Sequence, residues 1–247
     1  MKHYFFIAFY LICNIIIYLF QGSAMVYVAT FLAFLLVVFW GVSDIQLGYF
    51  LNSITKKKTK KKEVALSFDD GPTEFTPKFL DLLKENNIKA TFFCIGKQIE
   101  KHPDIFKKII QEGHCIGNHT YSHSNTTGFL STSQMIEEIT KCDETIEKCG
   151  DISTSFYRPP FGVTNPNIAR AISKTQKKSI GWNIRSFDTK IEDPKTILKR
   201  ITSQLKPGSI ILMHDTSEKS FQVLADLLLI LQQREYSTFK IDEIAKK

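Results

Sequence analysis

Charge and apolar residues are separated along this chain, and that separation constrains what it can fold into. The first 50 residues contain only two formally charged side chains but 8 of the 20 Phe residues. Positions 56–62 then read Lys-Lys-Lys-Thr-Lys-Lys-Lys. Residues 1–62 carry a net charge of +6, so only +1 of the total +7 remains for residues 63–247. Because the excess charge belongs to a short segment, we expect no nucleic-acid partner for the rest of the chain.

Two uncharged stretches precede the lysine run, Tyr4–Phe20 and Val26–Val42, and each has 17 residues. As a helix each would be about 25 Å long, which is within the range of membrane spans although shorter than a hydrocarbon core of roughly 30 Å. Neither stretch has the polar face of a helix that packs on a soluble core. We therefore predict a transmembrane hairpin over residues 1–43, with helices at about 4–20 and 26–42, and a Lys-rich linker over residues 44–62.

The lysine run also predicts on which side of the bilayer the remaining chain lies. Positive residues next to a span favour the cytoplasmic side and attract anionic headgroups of the lipid bilayer. A second interpretation makes residues 2–20 a signal peptide cleaved after Ala24 and the second stretch a stop-transfer helix. Both interpretations place residues 63–247 on the cytoplasmic face of the cell membrane. The alternative, a location outside on the envelope side, requires that one stretch does not span.

Residues 63–247 alternate short apolar runs with amphipathic stretches, beginning with a predicted strand at Glu63–Phe68 and a predicted helix at Thr76–Asn86. This alternation is typical of an α/β fold in which helices connect parallel strands, open or closed into a barrel. A complete eightfold barrel needs roughly 250 residues, and this segment has about 185. We therefore predict a distorted, incomplete (β/α) barrel.

Polar clusters come directly after several of the predicted strands. They are Asp69-Asp70-Gly71-Pro72, the Arg158-Pro159-Pro160-Phe161-Gly162 segment and His214-Asp215. Functional sites of α/β folds form where parallel strands end, so these clusters are expected to lie on one rim.

A second pattern predicts a metal site. His119 and His123 are four residues apart, which on one helical turn would direct two imidazoles to the same divalent ion. Asp69 and Asp70 supply carboxylates, of which one can bind the metal while the other accepts a proton from water. The alternative for these residues is an Asp-Asp-Gly-Pro turn and a pair of surface or capping histidines.

Four ordered motifs resemble those of the NodB-type polysaccharide deacetylases, carbohydrate esterase family 4. In chain order they are Ser67-Phe68-Asp69-Asp70-Gly71-Pro72, His119-Thr120-Tyr121-Ser122-His123, Arg158-Pro159-Pro160-Phe161-Gly162 and Leu212-Met213-His214-Asp215. The resemblance covers essentially all of residues 63–247 and implies a NodB-type barrel. It does not include the apolar N-terminus or the lysine run.

The resemblance also implies a metal site. Asp70, His119 and His123 match the family's metal ligands. The implied cofactor is a divalent metal ion, with zinc as the first expectation and cobalt, nickel or manganese as alternatives.

The remaining matches are to catalytic positions. Asp69 matches the general base, and Arg158 matches the residue that holds that base. His214 matches the general acid, and Asp188 matches the acidic residue that orients it. The backbone N–H of Phe161 matches the family's oxyanion-stabilising group.

The chain departs from the family pattern at one position of the substrate groove. The family often has Trp directly after the residue matched by Asp188, whereas Thr189 stands there in this sequence. The predicted activity is metal-dependent removal of an N-acetyl or other N-acyl group from an amino sugar of a polysaccharide, peptidoglycan or lipid-linked glycan. The alternatives are a non-catalytic glycan-binding or envelope-assembly protein that retains the fold, and an O-acetyl esterase or deformylase.

Overall fold

The computed structural model describes residues 2–245. The helices are α1 Lys2–Leu19, α2 Ala24–Ser43, α3 Thr76–Glu85, α4 Gly96–Lys101, α5 Pro103–Gln111, α6 Thr132–Gly150, α7 Pro166–Lys174, α8 Pro194–Gln204, α9 Glu218–Gln233 and α10 Asp242–Ala245. The strands are β1 Glu63–Asp69, β2 Thr91–Cys94, β3 Cys115–Asn118, β4 Phe156–Tyr157, β5 Lys178–Ser179, β6 Ile184–Arg185, β7 Ser209–His214 and β8 Ser237–Thr238.

The strands form one parallel sheet in the order β5–β4–β3–β2–β1–β7–β6, with β8 pairing beside the start of β1. Every strand pair among residues 2–245 is parallel, as the strand–helix alternation predicts. Within this described part β5 and β6 stand at opposite ends of the order and do not pair with one another. The sheet is therefore an incomplete barrel, and the predicted fold class is confirmed.

The register of the central strands places two of the polar clusters side by side. Asp69 at the end of β1 is the direct neighbour of His214 at the end of β7. Successive side chains of a strand point to opposite faces. Val64, Leu66 and Phe68 of β1 belong to the core under the helices, so Asp69 lies on the other, concave face.

Several short elements were not predicted from the sequence. Strand β3 has only four residues, and it contains Gly117, where an added Cβ would lie 2.3 Å from the ring of Phe93. This close approach explains why position 117 is a glycine. A four-residue strand that contains glycine has no clear hydrophobic periodicity, so the sequence did not predict it. Strands β5 and β6 have only two residues each, and the short segment 180–183 separates them.

The two N-terminal helices pack on each other, with the rings of Tyr10 and Phe34 stacked at 4.5 Å. Both are long and apolar enough to cross a membrane, and only 6% of each apolar window is buried. A signal sequence can have the same length and composition, so the helices are candidate spans.

Residues 44–57 lie against the barrel. Ile45, Tyr49 and Phe50 are buried, and Ile54 forms a parallel bridge with Ile180. At the end of α2, the carbonyl of residue 42 accepts a 3.0 Å hydrogen bond from the backbone N–H of Thr164. The apolar helices are thus held near the turn that follows the Arg158 segment.

Candidate active site

The site begins at the sharp turn that ends β1. Asp70 has a left-handed φ of 74°, which is uncommon for any residue with a side chain. Gly71 follows it, and a Cβ there would lie 2.5 Å from a carboxylate oxygen of Asp215. Because only glycine fits that position, the chain can turn tightly directly after two adjacent aspartates.

Asp69 is paired with Arg158 on the concave face of the sheet. Its Oδ1 accepts a 2.6 Å hydrogen bond from Nη1 of Arg158, and both side chains are buried. Burial lowers the pKa of the Arg158 guanidinium, and the Asp69 carboxylate opposes that effect. The pair therefore occupies one oxygen of Asp69 and leaves Oδ2, which lies 3.7 Å from Nε2 of His119.

The other two guanidinium nitrogens of Arg158 have partners as well. Nε and Nη2 donate to the carbonyls of Ile180 and Gly181, at 3.2 and 3.0 Å, and Nη1 also donates to Oγ of Ser67 at 2.9 Å. The guanidinium stacks 3.9 Å from the ring centroid of Phe93. These contacts hold the arginine rigidly, so it fixes the direction of the Asp69 carboxylate.

Asp70 faces the two histidines. Its Oδ1 lies 3.4 Å from Nε2 of His119 and 3.3 Å from Nε2 of His123. One ligand atom from each residue lies within 4.8 Å of the other two. Oδ1 of Asp70 is buried and accepts no hydrogen bond from the described residues. A buried carboxylate oxygen without a donor, facing two imidazole nitrogens, fits a divalent cation.

The two histidines do not lie on a helical turn, so that interpretation of their spacing was wrong. The segment is a loop in which Thr120 and His123 have left-handed φ values of 67° and 48°. Nδ1 of His119 donates a 2.8 Å hydrogen bond to the carbonyl of Arg158, which leaves Nε2 to face Asp70. The rings converge because tertiary contacts orient them, as is usual for metal-binding histidines.

The charge states of these residues suit metal binding. Burial acts to raise the pKa of Asp70, but His119, His214 and His123 outweigh it and hold the pKa well below its usual range. Burial and the neighbouring His119 lower the pKa of His123 to about 4. At neutral pH the site therefore presents a carboxylate and a neutral imidazole, the forms that bind metals.

His214 and Asp188 form a second charged pair across from Asp69. Nδ1 of His214 lies 2.7 Å from Oδ1 of Asp188, and the backbone N–H of His214 donates to Oδ2 at 2.8 Å. Ser186 and Ser220 each donate a further hydrogen bond to the same carboxylate, at 2.8 and 2.9 Å. Burial acts to lower the pKa of His214, but Asp188 outweighs it and raises the pKa to about 9.

Phe161 lies in the turn after Arg158, beside His123. It has a left-handed φ of 61°, and its ring centroid is 4.8 Å from that of His123. The N–H of Phe161 enters no backbone hydrogen bond within residues 2–245. Gly162 follows with φ 74°, and a Cβ there would lie 2.5 Å from the ring of Trp182.

The structure brings all eight predicted site residues to one rim. Nε2 of His214 lies 3.8 Å from Oδ2 of Asp70, so the two charged pairs flank the Asp70–His119–His123 group. Sequence reasoning missed the residues that hold the site together: Ser67, Ser186, Ser220 and Asp215. A buried serine has no distinguishing sequence pattern, and of these four residues only Ser67 and Asp215 stand within the four ordered motifs.

Comparison with known proteins agrees with this geometry. The polysaccharide deacetylase family matches residues 56–180. The chain belongs to this family. A peptidoglycan-N-acetylglucosamine deacetylase of Bacillus cereus is 40% identical over 169 residues, which are 68% of this chain and 61% of that protein. The chain thus spans somewhat less than two thirds of that relative's length.

Solved structures of the family have the same fold. A peptidoglycan N-acetylglucosamine deacetylase in complex with an N-hydroxybenzamide compound superposes with a TM-score of 0.73 at 34% identity, covering 78% of this chain and 91% of that one. A Bacillus anthracis protein described as a pseudoenzyme of carbohydrate esterase family 4 superposes with a TM-score of 0.72 at 27% identity, covering 78% and 68%. Both chains share the architecture described above.

Proposed function

We propose that this polysaccharide deacetylase family member is a metal-dependent hydrolase that removes the acetyl group from an amino sugar of peptidoglycan or of another N-acetylated glycan. One observation carries the proposal. The Asp69–Arg158 pair and the His214–Asp188 pair lie on either side of the Asp70–His119–His123 group, at distances that one amide group could bridge. Hydrolysis of an amide needs a base and an acid placed in this way around a polarised carbonyl.

Asp70, His119 and His123 would hold the divalent ion. When bound, the ion would act as a Lewis acid toward the acetyl oxygen and would lower the pKa of a coordinated water. Zinc suits a site of two imidazoles and one carboxylate with room for further ligands. His119 is held in the required tautomer by its hydrogen bond to the Arg158 carbonyl.

Asp69 would act as the general base. Oδ1 is occupied by Arg158 and Oδ2 is directed toward the metal-ligand group, so Oδ2 is the oxygen placed to take a proton from the attacking water. The water oxygen bonds to the acyl carbon as this proton moves to Asp69. The ion pair with Arg158 fixes the direction of the carboxylate before the reaction.

His214 would act as the general acid. Its Nδ1 is held by Asp188, so the protonated ring directs Nε2–H toward the site. When the C–N bond breaks, that proton passes to the amine nitrogen, and acetate and the free amino sugar are the products. A pKa of about 9 keeps His214 protonated at neutral pH, which an amide leaving group requires.

The Phe161 N–H would stabilise the oxyanion that develops on the acetyl oxygen. A backbone donor fixed in advance costs no reorganisation when charge appears. Phe161 has a left-handed φ, and its N–H has no backbone carbonyl as partner among the described residues, so it is available for this role.

A non-catalytic role is the second candidate because one structure of the same fold is a pseudoenzyme. The complete set of acid, base and metal-ligand positions supports turnover instead. Cleavage of O-acetyl esters or of N-formyl groups would use the same residues, since all three reactions pass through a tetrahedral intermediate.

The test is acetate release by the full-length chain in detergent. Metal is first removed with a chelator, and zinc, cobalt, nickel or manganese is then added to samples with peptidoglycan or with N-acetylated chito-oligosaccharides. We expect metal-dependent acetate release that is lost in Asp69→Asn, while zinc binding measured by calorimetry persists. Zinc binding without turnover on any acetylated glycan would refute the deacetylase proposal.

We also propose that residues 1–43 anchor the protein in the cell membrane, and that residues 63–247 form the enzymatic domain joined through residues 44–62. The hydrogen bond between Thr164 and the end of α2 supports a site near the bilayer surface. The lysines at 56–62 support a cytoplasmic domain that acts on a lipid-linked glycan. In intact spheroplasts, protease should leave a C-terminal tag undigested, and digestion would place the domain on the envelope side.

A further inference from the structure

One cationic side chain beside the site has no ionic partner. Arg185, on β6, lies within 4 Å of no carboxylate among residues 2–245, and its guanidinium donates no hydrogen bond to them. Its side chain is only half-buried, so it is in contact with both protein and solvent. A guanidinium has five N–H donors in a fixed fork, and here those donors are available to a ligand.

Arg185 shares an aromatic surface with the buried arginine of the site. The guanidinium of Arg158 lies 5.6 Å from the Trp182 ring, and that of Arg185 lies 5.4 Å from the same ring. Arg158 is neutralised by Asp69, whereas Arg185 is not. The strand alternation explains the placement, because Ile184 packs into the core under the helices and its neighbour faces the concave side.

A second aromatic ring and a second arginine complete this surface. Arg185 lies 4.8 Å from the ring centroid of Phe187, and Arg200 lies 4.5 Å from the same ring. Arg200 donates from Nε to the carbonyl of Arg185 at 2.9 Å. Phe187 has a left-handed φ of 59° and directly precedes Asp188. The cationic surface is therefore adjacent in the chain to Asp188, the residue that orients His214.

The charges of the site act on Arg185. Burial lowers its pKa, and the carboxylates of Asp69 and Asp188 oppose that effect while Arg200 adds to it. Arg185 therefore interacts electrostatically with the carboxylates of Asp69 and Asp188 but forms an ion pair with neither. A partly desolvated charge of this kind is stabilised when an anion from a ligand reaches it.

We propose that Arg185, which lies against the rings of Trp182 and Phe187 and is supported by Arg200, binds an anionic substituent carried by the amino sugar that is deacetylated. This inference rests on the proposed function for the position of the sugar. The fork geometry suits the two oxygens of a carboxylate or of a phosphate. A carboxylate would come from an acidic sugar such as a muramic acid unit, and a phosphate from a sugar–phosphate linkage.

Binding of three small sugars separates these sources without requiring turnover. The full-length, zinc-loaded chain in detergent is titrated by calorimetry with N-acetylglucosamine, N-acetylmuramic acid and N-acetylglucosamine 1-phosphate. We expect one of the anionic sugars to bind about 10- to 100-fold tighter than the neutral sugar, the range for a charge-assisted contact. The anionic sugar with the higher affinity shows whether the surface binds a carboxylate or a phosphate.

Variants then assign the preference to Arg185. Arg185→Gln should reduce the ratio of anionic to neutral affinity to within about 2-fold of unity, and Arg185→Lys should retain part of it, because a point charge replaces the fork. Arg234→Gln, which removes an exposed arginine far along the chain, is the matched control and should keep the full ratio. Thermal unfolding of each variant shows that the fold is retained.

The outcomes separate this inference from the proposed function. The role of Arg185 is refuted if the wild-type chain does not prefer the anionic sugars. It is also refuted if Arg185→Gln keeps that preference. Both conclusions hold whether or not acetate is released. A preference that depends on Arg185 in a chain that releases no acetate supports the anion site and refutes the deacetylase proposal. In an active chain, the ratio of kcat/KM for anionic over neutral glycans should fall in Arg185→Gln by the same factor as the binding ratio.

Discussion

Replacing Asp188 by Asn removes the charge that holds His214 while nearly preserving the shape of the side chain. Asp188 accepts hydrogen bonds from Nδ1 and the backbone N–H of His214, from Ser186 and from Ser220. An Asn amide can still accept through its oxygen, but its NH₂ group would face two donors. The variant therefore loses the ion pair and also favours the wrong tautomer of His214.

The magnitude follows from the pKa of His214. Asp188 raises it from the ordinary 6.5 to about 9 against the opposing effect of burial. At about 1.4 kcal/mol per pKa unit, this shift favours the protonated ring by roughly 3 kcal/mol. Without Asp188, burial lowers the pKa and only the weaker effects of the Asp70 and Asp69 carboxylates oppose it, so we expect the pKa to return to about the ordinary 6.5. At pH 7.5 the protonated fraction of His214 then decreases from nearly all molecules to about one tenth or less.

The assay is the pH dependence of kcat for acetate release between pH 5.5 and 9.5. We expect the wild-type basic limb near pH 9, where the acid loses its proton, and a limb at or below pH 6.5 in Asp188→Asn. At pH 7.5 the variant should be at least about 10-fold slower from protonation alone. Asp226→Asn, which neutralises an exposed carboxylate on α9, is the control. A basic limb that does not move in Asp188→Asn would refute the assignment of His214 as the acid.

Four further predictions concern stability. Arg158→Met leaves the buried Asp69 without its partner and should lower the free energy of unfolding by about 3–5 kcal/mol in a denaturant titration. Gly162→Ala places a Cβ 2.5 Å from Trp182 at a φ of 74° and should cost about 1–3 kcal/mol in the same titration. Burial raises the pKa of Asp215 to about 7, so the folded state holds its proton more tightly than the unfolded state, and wild-type stability should fall as pH rises from about 4 through 7. The Tm of Asp215→Asn should fall less over that range, and an equal fall would contradict this origin. Zinc at about 100 times its Kd should add roughly 2.7 kcal/mol to the free energy of unfolding of the metal-free protein, measured as a higher Tm. An unchanged Tm would contradict a metal site in the folded state.

The sequence predicted the elements whose signal is local. Strand β1 was expected at Glu63–Phe68 and is found at Glu63–Asp69, and helix α3 was expected at Thr76–Asn86 and is found at Thr76–Glu85. A strand with alternate residues in two environments, and a helix that opens with Thr-Pro, can be recognised from the residues themselves. Strands β3 and β6 were not predicted because they are very short and are defined by their partners rather than by their own residues.

The candidate site shows the same division. The motifs and the family resemblance that they carry predicted the residues that the structure brings together at the candidate site. They did not determine the backbone that carries them: His119 and His123 converge from a loop through the Arg158 carbonyl, not from a helical turn. That hydrogen bond joins residues 39 apart in sequence, so no local pattern can reveal it.

By itself, the sequence determined that this chain has an apolar, nearly uncharged N-terminus, a lysine run and an α/β segment with polar clusters after its strands. These properties depend on residue type and on spacings of a few residues. Only the tertiary structure decided which charges have partners. Arg158 and Arg185 are both arginines near strand ends, but one is buried against Asp69 and the other lies beside the same indole with no carboxylate in reach among the described residues. The pairing of these charges depends on distances between strands that are far apart in sequence, so it is determined only by the assembled, curved sheet.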